Sequence, residues 1–299
     1  MLIFCYFCTK IYVNYIVFMA ILIADSGSTK TDWICLTGGD ESMHIEVQTM
    51  GLNPFHVSDN EIRGVLSHDL LPQLGDVKVD AVYFYGSGVR PEVEGRVEGL
   101  LRESFPDAQT VQAHSDLLGA CRALCGDKAG IACILGTGAN SCVYDGTQVV
   151  HNTPALGYIL GDEGSGAVLG KHLLHDLYTG VLPHSVRLAF EKEMGLELSE
   201  IINKVYREPQ ANRFLASLSE FIHRHLDEEG IRQLVYNTFS DFINYHISRY
   251  GRRDLPLSFV GSIAYYYQEQ LQLIVQILGY QMGTILKSPL QGLVAYHSK

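Results

Sequence analysis

Residues 131–151 read IACILGTGANSCVYDGTQVVH. The apolar run 131–135 has the length and composition of a buried strand. It ends in a small-residue turn, Gly136-Thr137-Gly138-Ala139-Asn140-Ser141. A second short strand occupies 142–144, Asp145-Gly146 makes a tight turn, and 147–151 forms a third strand. The first half of the chain runs the same way. Residues 20–31 read AILIADSGSTKT, an apolar strand at 20–24 followed by a turn through Asp25-Ser26-Gly27-Ser28-Thr29-Lys30-Thr31. Strands at 32–36 and 43–49 follow, separated by a hairpin turn at Thr37-Gly38-Gly39-Asp40. The order strand, Gly/Thr turn, strand, tight turn, strand thus occurs twice. This repeat of architecture, rather than of close sequence, predicts two similar α/β domains facing each other.

The rest of the chain fits that frame. At 299 residues, two medium domains are favoured over one large core. Helical patterns at 60–74 and 91–105 alternate with strands at 81–85 and 111–113, and a helix is expected at 117–125. The domain break is expected near 116–119, giving domains 19–118 and 119–299, with the last helix free to pack back on the first domain. The second half is more helical, with a helix from 166 to about 178 stopped by Gly180 and several helices across 186–250. A strand at 257–260 leads into a helix at 263–278.

Hydrophobic residues make up 47% and charged residues 18% of the chain, a globular composition. The net charge of -11 argues against nucleic acid, whose phosphates need a basic footprint. It does not forbid a nucleotide, which backbone N–H groups, a helix terminus and magnesium can hold. The seven cysteines, an odd number without paired CxxC motifs, read as small buried thiols of a cytoplasmic protein. Residues 1–24 are strongly apolar, as in a signal peptide or membrane anchor. Residues 20–24 are needed as a buried strand, however, so 1–18 read as an extension ahead of Met19, with no membrane partner.

Several motifs carry chemistry, each beside a plainer reading. In 25–31, small residues let the backbone approach an anion, and hydroxyls plus Lys30 donate to it. Asp25, at the strand end, can hold magnesium through water. Alone this is an ordinary β-turn, and it lacks Walker A spacing. Gly136-Thr137-Gly138-Ala139-Asn140 has the same character at the matching place, so the two turns together can clamp a triphosphate. Asp116 follows a strand, where α/β proteins place ligands, and can accept a proton from an attacking hydroxyl. It can equally be a helix N-cap. Asp162, within Gly161-Asp162-Glu163-Gly164-Ser165-Gly166, lies in a segment whose glycines suit close ligand approach or helix capping. Gly261-Ser262 opens a helix after a strand, a place that suits adenine and ribose. Asn53 offers a donor and an acceptor to sugar hydroxyls, although Asn-Pro pairs are often simply turns. His172 and His175 share a helix face but lack a third ligand nearby, so packing or surface roles are favoured over metal.

These motifs, in this order, resemble the N-acetylglucosamine kinase-like branch of the actin-like ATPases. That branch shares a family with the activator ATPases of benzoyl-CoA reductase and 2-hydroxyacyl-CoA dehydratases. The resemblance runs from Met19 to the C-terminus. It implies two actin-like, ribonuclease H-like ATPase domains with a nucleotide cleft between them, and transfer of phosphate from ATP, with Mg2+, to an amino sugar. Ser28, Thr29 and Lys30 match the first phosphate loop, Thr137 and Gly138 the second, and Gly261 and Ser262 the adenosine motif. Asn53, Asn140 and Asp162 match sugar-contacting positions, and Asp116 matches the carboxylate that activates the sugar 6-hydroxyl. Leu156 stands where relatives often carry a tryptophan lining the sugar pocket; the only tryptophan here is Trp33. Two rivals remain: an activator-type ATPase bridging an iron–sulfur cluster across a dimer through cysteines such as Cys121, Cys125, Cys133 and Cys142, and a non-catalytic sugar sensor. A homodimer is left open.

Overall fold

The computed structural model describes residues 19–27, 29–37 and 44–299. The extension 1–18, Ser28, and the turn residues Gly38, Gly39 and Asp40 lie outside the described residues.

Strands β1 (Ile21–Ser26), β2 (Lys30–Leu36), β3 (His44–Met50), β4 (Ala81–Gly86) and β5 (Thr110–Ser115) form one sheet in the order β3-β2-β1-β4-β5. Strands β6 (Gly130–Leu135), β7 (Ala139–Tyr144), β8 (Val149–Thr153), β9 (Leu257–Val260) and β10 (Met282–Leu286) form a second, in the order β10-β9-β6-β7-β8. In each sheet an antiparallel three-strand meander is extended by two parallel strands, β1-β4-β5 in one and β6-β9-β10 in the other. The architectural repeat expected from 20–49 and 131–151 is therefore present as two sheets of the same topology.

Both faces of each sheet are covered, which is why the inner strands read as continuous apolar runs. In β1, Leu22 and Ala24 point into a core with Leu66, Leu70, Val97 and Leu101. Ile23, on the opposite face, joins Ile34, Leu36 and Tyr85 under Leu290, Leu293 and Val294 of the C-terminal helix Leu290–His297. Burial of such side chains stabilises by roughly 1.5–3 kcal/mol each relative to exposure. In the second sheet, Ala132, Cys142 and Val260 pack under Leu117, Cys121 and Leu124 of helix Asp116–Cys125. Its other face carries the larger helical core, including Phe190, Phe221, Phe239 and Phe242.

Helix Asp116–Cys125 is the link between the sheets. It follows β5, leads to β6, and touches both: a Cβ on Gly119 would lie 2.9 Å from Tyr85 Cβ, so only glycine lets the helix lie this close to β4. The C-terminal helix crosses it with equal intimacy, since a Cβ on Gly292 would sit 2.5 Å from the Ala123 carbonyl.

Two local expectations need correction, and one strand is new. The helix read across 60–74 is Asp59–Gly64 and Leu71–Leu74 joined by a wide π-turn at Val65–Leu70. The helix read across 263–278 breaks at Tyr267 into Ser262–Tyr266 and Gln268–Ile277. Strand β10 was not anticipated.

Candidate active site

The first turn is a tightly bonded hairpin. Gly27 N–H donates to the Lys30 carbonyl (2.9 Å), and Gly51 N–H to the Thr29 carbonyl (3.0 Å). Ser26 Oγ and Thr31 Oγ1 lie 2.8 Å apart, and Ser26 Oγ accepts from Leu52 N–H at 3.0 Å. The backbone of Leu52, just before Asn53, is thereby stitched to the end of β1. The Thr29 and Lys30 side chains point outward, and Lys30 Nζ pairs with Asp32 at 2.7 Å. Asn53 is buried beside Gly88, its Oδ1 accepting from Phe55 N–H at 3.0 Å. Gly88 has φ +82°, and a Cβ there would lie 2.4 Å from Asn53 Oδ1, so glycine is required on both counts.

Asp25 stands at the end of β1, opposite Asp32 in the register. Burial, then the negative charges of Asp116 and Asp32, lift its carboxyl to about 7, while Lys30 opposes them. Asp116 opens helix Asp116–Cys125. Its N-cap is Ser115, whose Oγ accepts from Leu118 N–H at 3.2 Å. The capping alternative for Asp116 thus falls to its neighbour, and the Asp116 carboxylate accepts only locally, from Leu117 N–H at 2.8 Å. Burial raises its proton affinity, opposed by those backbone donors.

The second turn docks on a helix. Gly166 N–H and Ala167 N–H, at the start of helix Gly166–Thr179, donate to the carbonyls of Gly136 (2.9 Å) and Thr137 (3.2 Å). Thr137 itself is exposed. Asp162 is buried, and burial raises its proton affinity while the nearby backbone N–H groups of Ala139 and Gly157 oppose the rise. A Cβ on Gly138 would lie 2.8 Å from Asp162 Oδ2. Asn140 Oδ1 accepts from Ser141 N–H (2.9 Å) and Asn152 Nδ2 (3.0 Å), which orients the side chain; its Nδ2 makes no hydrogen bond among the described residues. Gly261, at φ +122°, precedes helix Ser262–Tyr266 and would set a Cβ 2.2 Å from the Leu135 carbonyl, so it abuts the second turn directly.

The sequence-derived residues therefore gather in two groups. Asp25, Thr29, Lys30, Asn53 and Asp116 line the ends of β1 and β5; Thr137, Gly138, Asn140, Asp162, Gly261 and Ser262 line the end of β6. Helix Asp116–Cys125 carries the chain from one group to the other. Sequence reading missed the partners that hold these groups. Tyr250 Oη bonds both the Oγ and the carbonyl of Ser141 (2.8 Å each) and Thr153 N–H (3.0 Å). His246 Nε2 lies 2.8 Å from Glu163 Oε2. Both partners come from far along the chain and carry no local signal.

Among the cysteines, Cys121 and Cys142 have sulfurs 3.2 Å apart in the core, where the mutual contact and burial push the Cys121 thiol up. No group of three metal-ligating side chains occurs among the described residues. His172 Nδ1 lies 3.3 Å from Thr238 Oγ1, and His175 pairs with Asp176. Among the described residues no helix is long and apolar enough to cross a membrane.

No family model matches the sequence, and no curated protein does. Solved structures do. A candidate N-acetylglucosamine kinase from Porphyromonas gingivalis is 46% identical, with a TM-score of 0.89 over 93% of this chain and 98% of that one. A second candidate N-acetylglucosamine kinase, from Chromobacterium violaceum, is 18% identical with a TM-score of 0.67 over 93% and 98%. A ROK family glucokinase from Streptomyces griseus, in complex with glucose and AMPPNP, is 10% identical with a TM-score of 0.56 over 93% and 97%. The last two share the fold; the first shares nearly half its residues along almost its whole length. By that identity and coverage, the chain belongs to the N-acetylglucosamine kinase-like sugar kinases of the actin-like ATPase fold.

Proposed function

We propose that the protein transfers the γ-phosphoryl group of ATP to an N-acetylated amino sugar, converting N-acetylglucosamine to its 6-phosphate. The observation that carries the reading is the half-buried carboxylate of Asp116, set at the head of a helix and charge-coupled to Asp25 beside the first turn. A carboxylate so placed, with raised proton affinity, suits acceptance of a proton from an attacking hydroxyl near neutral pH.

The remaining residues divide the work. The 27–30 turn, with Thr29 and Lys30, and the Thr137-Gly138 turn hold the phosphates, and Gly261-Ser262 holds the adenosine side. Asn53, Asn140 and Asp162 bind sugar hydroxyls and fix the 6-hydroxyl for attack. Asp25 fits a divalent cation: burial, and then the negative charges of Asp116 and Asp32 at the β1 end, lift its carboxyl to about 7, and a bound cation would relieve both. Magnesium bound there would neutralise charge on the transferring phosphoryl group.

The test is ADP release from Mg-ATP across N-acetylglucosamine, N-acetylmannosamine, N-acetylmuramic acid, glucosamine and glucose. Strong stimulation by one N-acetylated sugar is expected. Slow release indifferent to every sugar would overturn the reading.

A further inference from the structure

Asp162 has φ +60°, a left-handed conformation that non-glycine residues adopt only when their surroundings impose it. Its carboxylate lies near the N–H groups of Ala139 and Gly157, which favour its charged form, and its carbonyl accepts from Ser165 N–H at 3.0 Å. These contacts hold the two ends of the turn. What presses its middle into place comes from the helical layer.

The next residue, Glu163, reaches to His246, with Oε2 2.8 Å from Nε2. His246 is buried, and its ring stacks on Phe242 with centroids 5.4 Å apart. Gly164, at φ +81°, lies against the same Phe242: a Cβ there would be 2.9 Å from the phenylalanine Cβ. His246 sits in a single π-turn, Ile243–Ile247, that continues helix Glu229–Phe242. Such turns rotate side chains out of the regular helical register and recur at functional sites. The His246 carbonyl in turn accepts from Thr153 Oγ1 at 3.3 Å, on the strand beside Asn140. One residue therefore braces both segments that flank Asn140 and Asp162: the His246 imidazole holds Glu163, and its backbone carbonyl holds Thr153. A carboxylate can only accept, so His246 Nε2 carries the hydrogen of this bond.

We propose that His246 is a positioning residue: through Glu163 it holds the strained Asp162 turn in the conformation that binds the sugar. The inference rests on the kinase reading above, in which Asp162 contacts the sugar. It assigns His246 no contact with substrate and no part in proton transfer.

The experiment measures KM for N-acetylglucosamine, KM for ATP, kcat and Tm in the full chain and four variants. His246→Leu removes the donor, and His246→Gln returns a donor at the place of Nε2. Glu163→Ala removes the acceptor from a half-buried position and serves if His246→Leu fails to fold. Asp162→Ala tests the underlying reading. His246→Leu and Glu163→Ala should each raise the sugar KM about tenfold or more, as small misplacements at a binding site do, with the ATP KM within about twofold. His246→Gln should recover most of the loss. A folded His246→Leu or Glu163→Ala with the wild-type sugar KM, whatever its Tm, overturns the inference while sparing the reading. Wild-type ADP release indifferent to sugar, or an Asp162→Ala protein with an unchanged sugar KM, overturns the reading and the inference together.

Discussion

The negative charge of Asp116 reaches Asp25 across the ends of β5 and β1 and, after burial, is the largest cause of the Asp25 carboxyl rising to about 7. In the unfolded chain the same carboxyl has its ordinary value of 3.8. Between these two values the folded protein binds more protons than the unfolded one. Stability from Asp25 is therefore fully present below about pH 4 and is lost as pH rises through about 7. The loss amounts to about 4 kcal/mol, at 1.36 kcal/mol per pKa unit.

Asp25→Asn should accordingly be more stable than wild type at pH 8, and little different at pH 4. Thermal melts across this range should show the pH slope shrinking in the variant. Magnesium should raise the wild-type Tm more at pH 8 than at pH 6, because it replaces the proton, and should lose that effect in Asp25→Asn. Parallel wild-type and variant curves would sink the assignment.

Asp116→Asn keeps the size and local hydrogen bond of the side chain but cannot take a proton. Its kcat for the sugar-stimulated reaction should fall about 10²–10⁴-fold, with the ATP KM and Tm near wild type. Near-wild-type turnover would remove Asp116 from the chemistry.

Gly261 and Gly136 make a matched pair for backbone strain. Alanine at Gly261 meets the Leu135 carbonyl at 2.2 Å and a φ of +122°, whereas alanine at Gly136 meets nothing within 4 Å. Gly261→Ala should destabilise by about 2–4 kcal/mol, and Gly136→Ala by less than about 1 kcal/mol. Chemical denaturation of both proteins decides this, and equal midpoints would contradict the geometry.

Leu156 is 60% exposed and adjoins Gly157, whose N–H lies near the Asp162 carboxylate. A tryptophan there would add a flat apolar surface beside the candidate sugar site. Leu156→Trp should lower the sugar KM about two- to tenfold, in line with the worth of an aromatic contact. A raised or unchanged KM would place the sugar elsewhere.

The two meanders were legible because each is punctuated by glycine-rich turns between short apolar runs, and such signals are local. Strand β10 was not: it carries Gly283, where a Cβ would lie 2.3 Å from Ser258 Oγ, and it is a strand because β9 offers it an edge. The π-turn inside 60–74 and the break at Tyr267 likewise answer to packing, since the apolar period runs through both. At the site, the turns around Asp25, Gly136 and Gly261 show in small-residue spacing, and Asp116 shows by following a strand. The Glu163–His246 bond spans 83 residues and obeys no spacing rule, so only the folded chain reveals it.

The C-terminal helix has a consequence for the order in which this protein folds. Tyr85 Oη lies 2.8 Å from His297 Nε2, a contact between residues 212 apart in sequence. Until Leu290, Leu293 and Val294 arrive, the face bearing Ile23, Ile34 and Leu36 is only partly covered, by helix Asp116–Cys125. A nascent first sheet must therefore wait, half-clad, while the rest of the chain is synthesised. Contacts this remote slow folding and leave apolar surface open to aggregation in the interval. The first sheet to be made is the last to be finished.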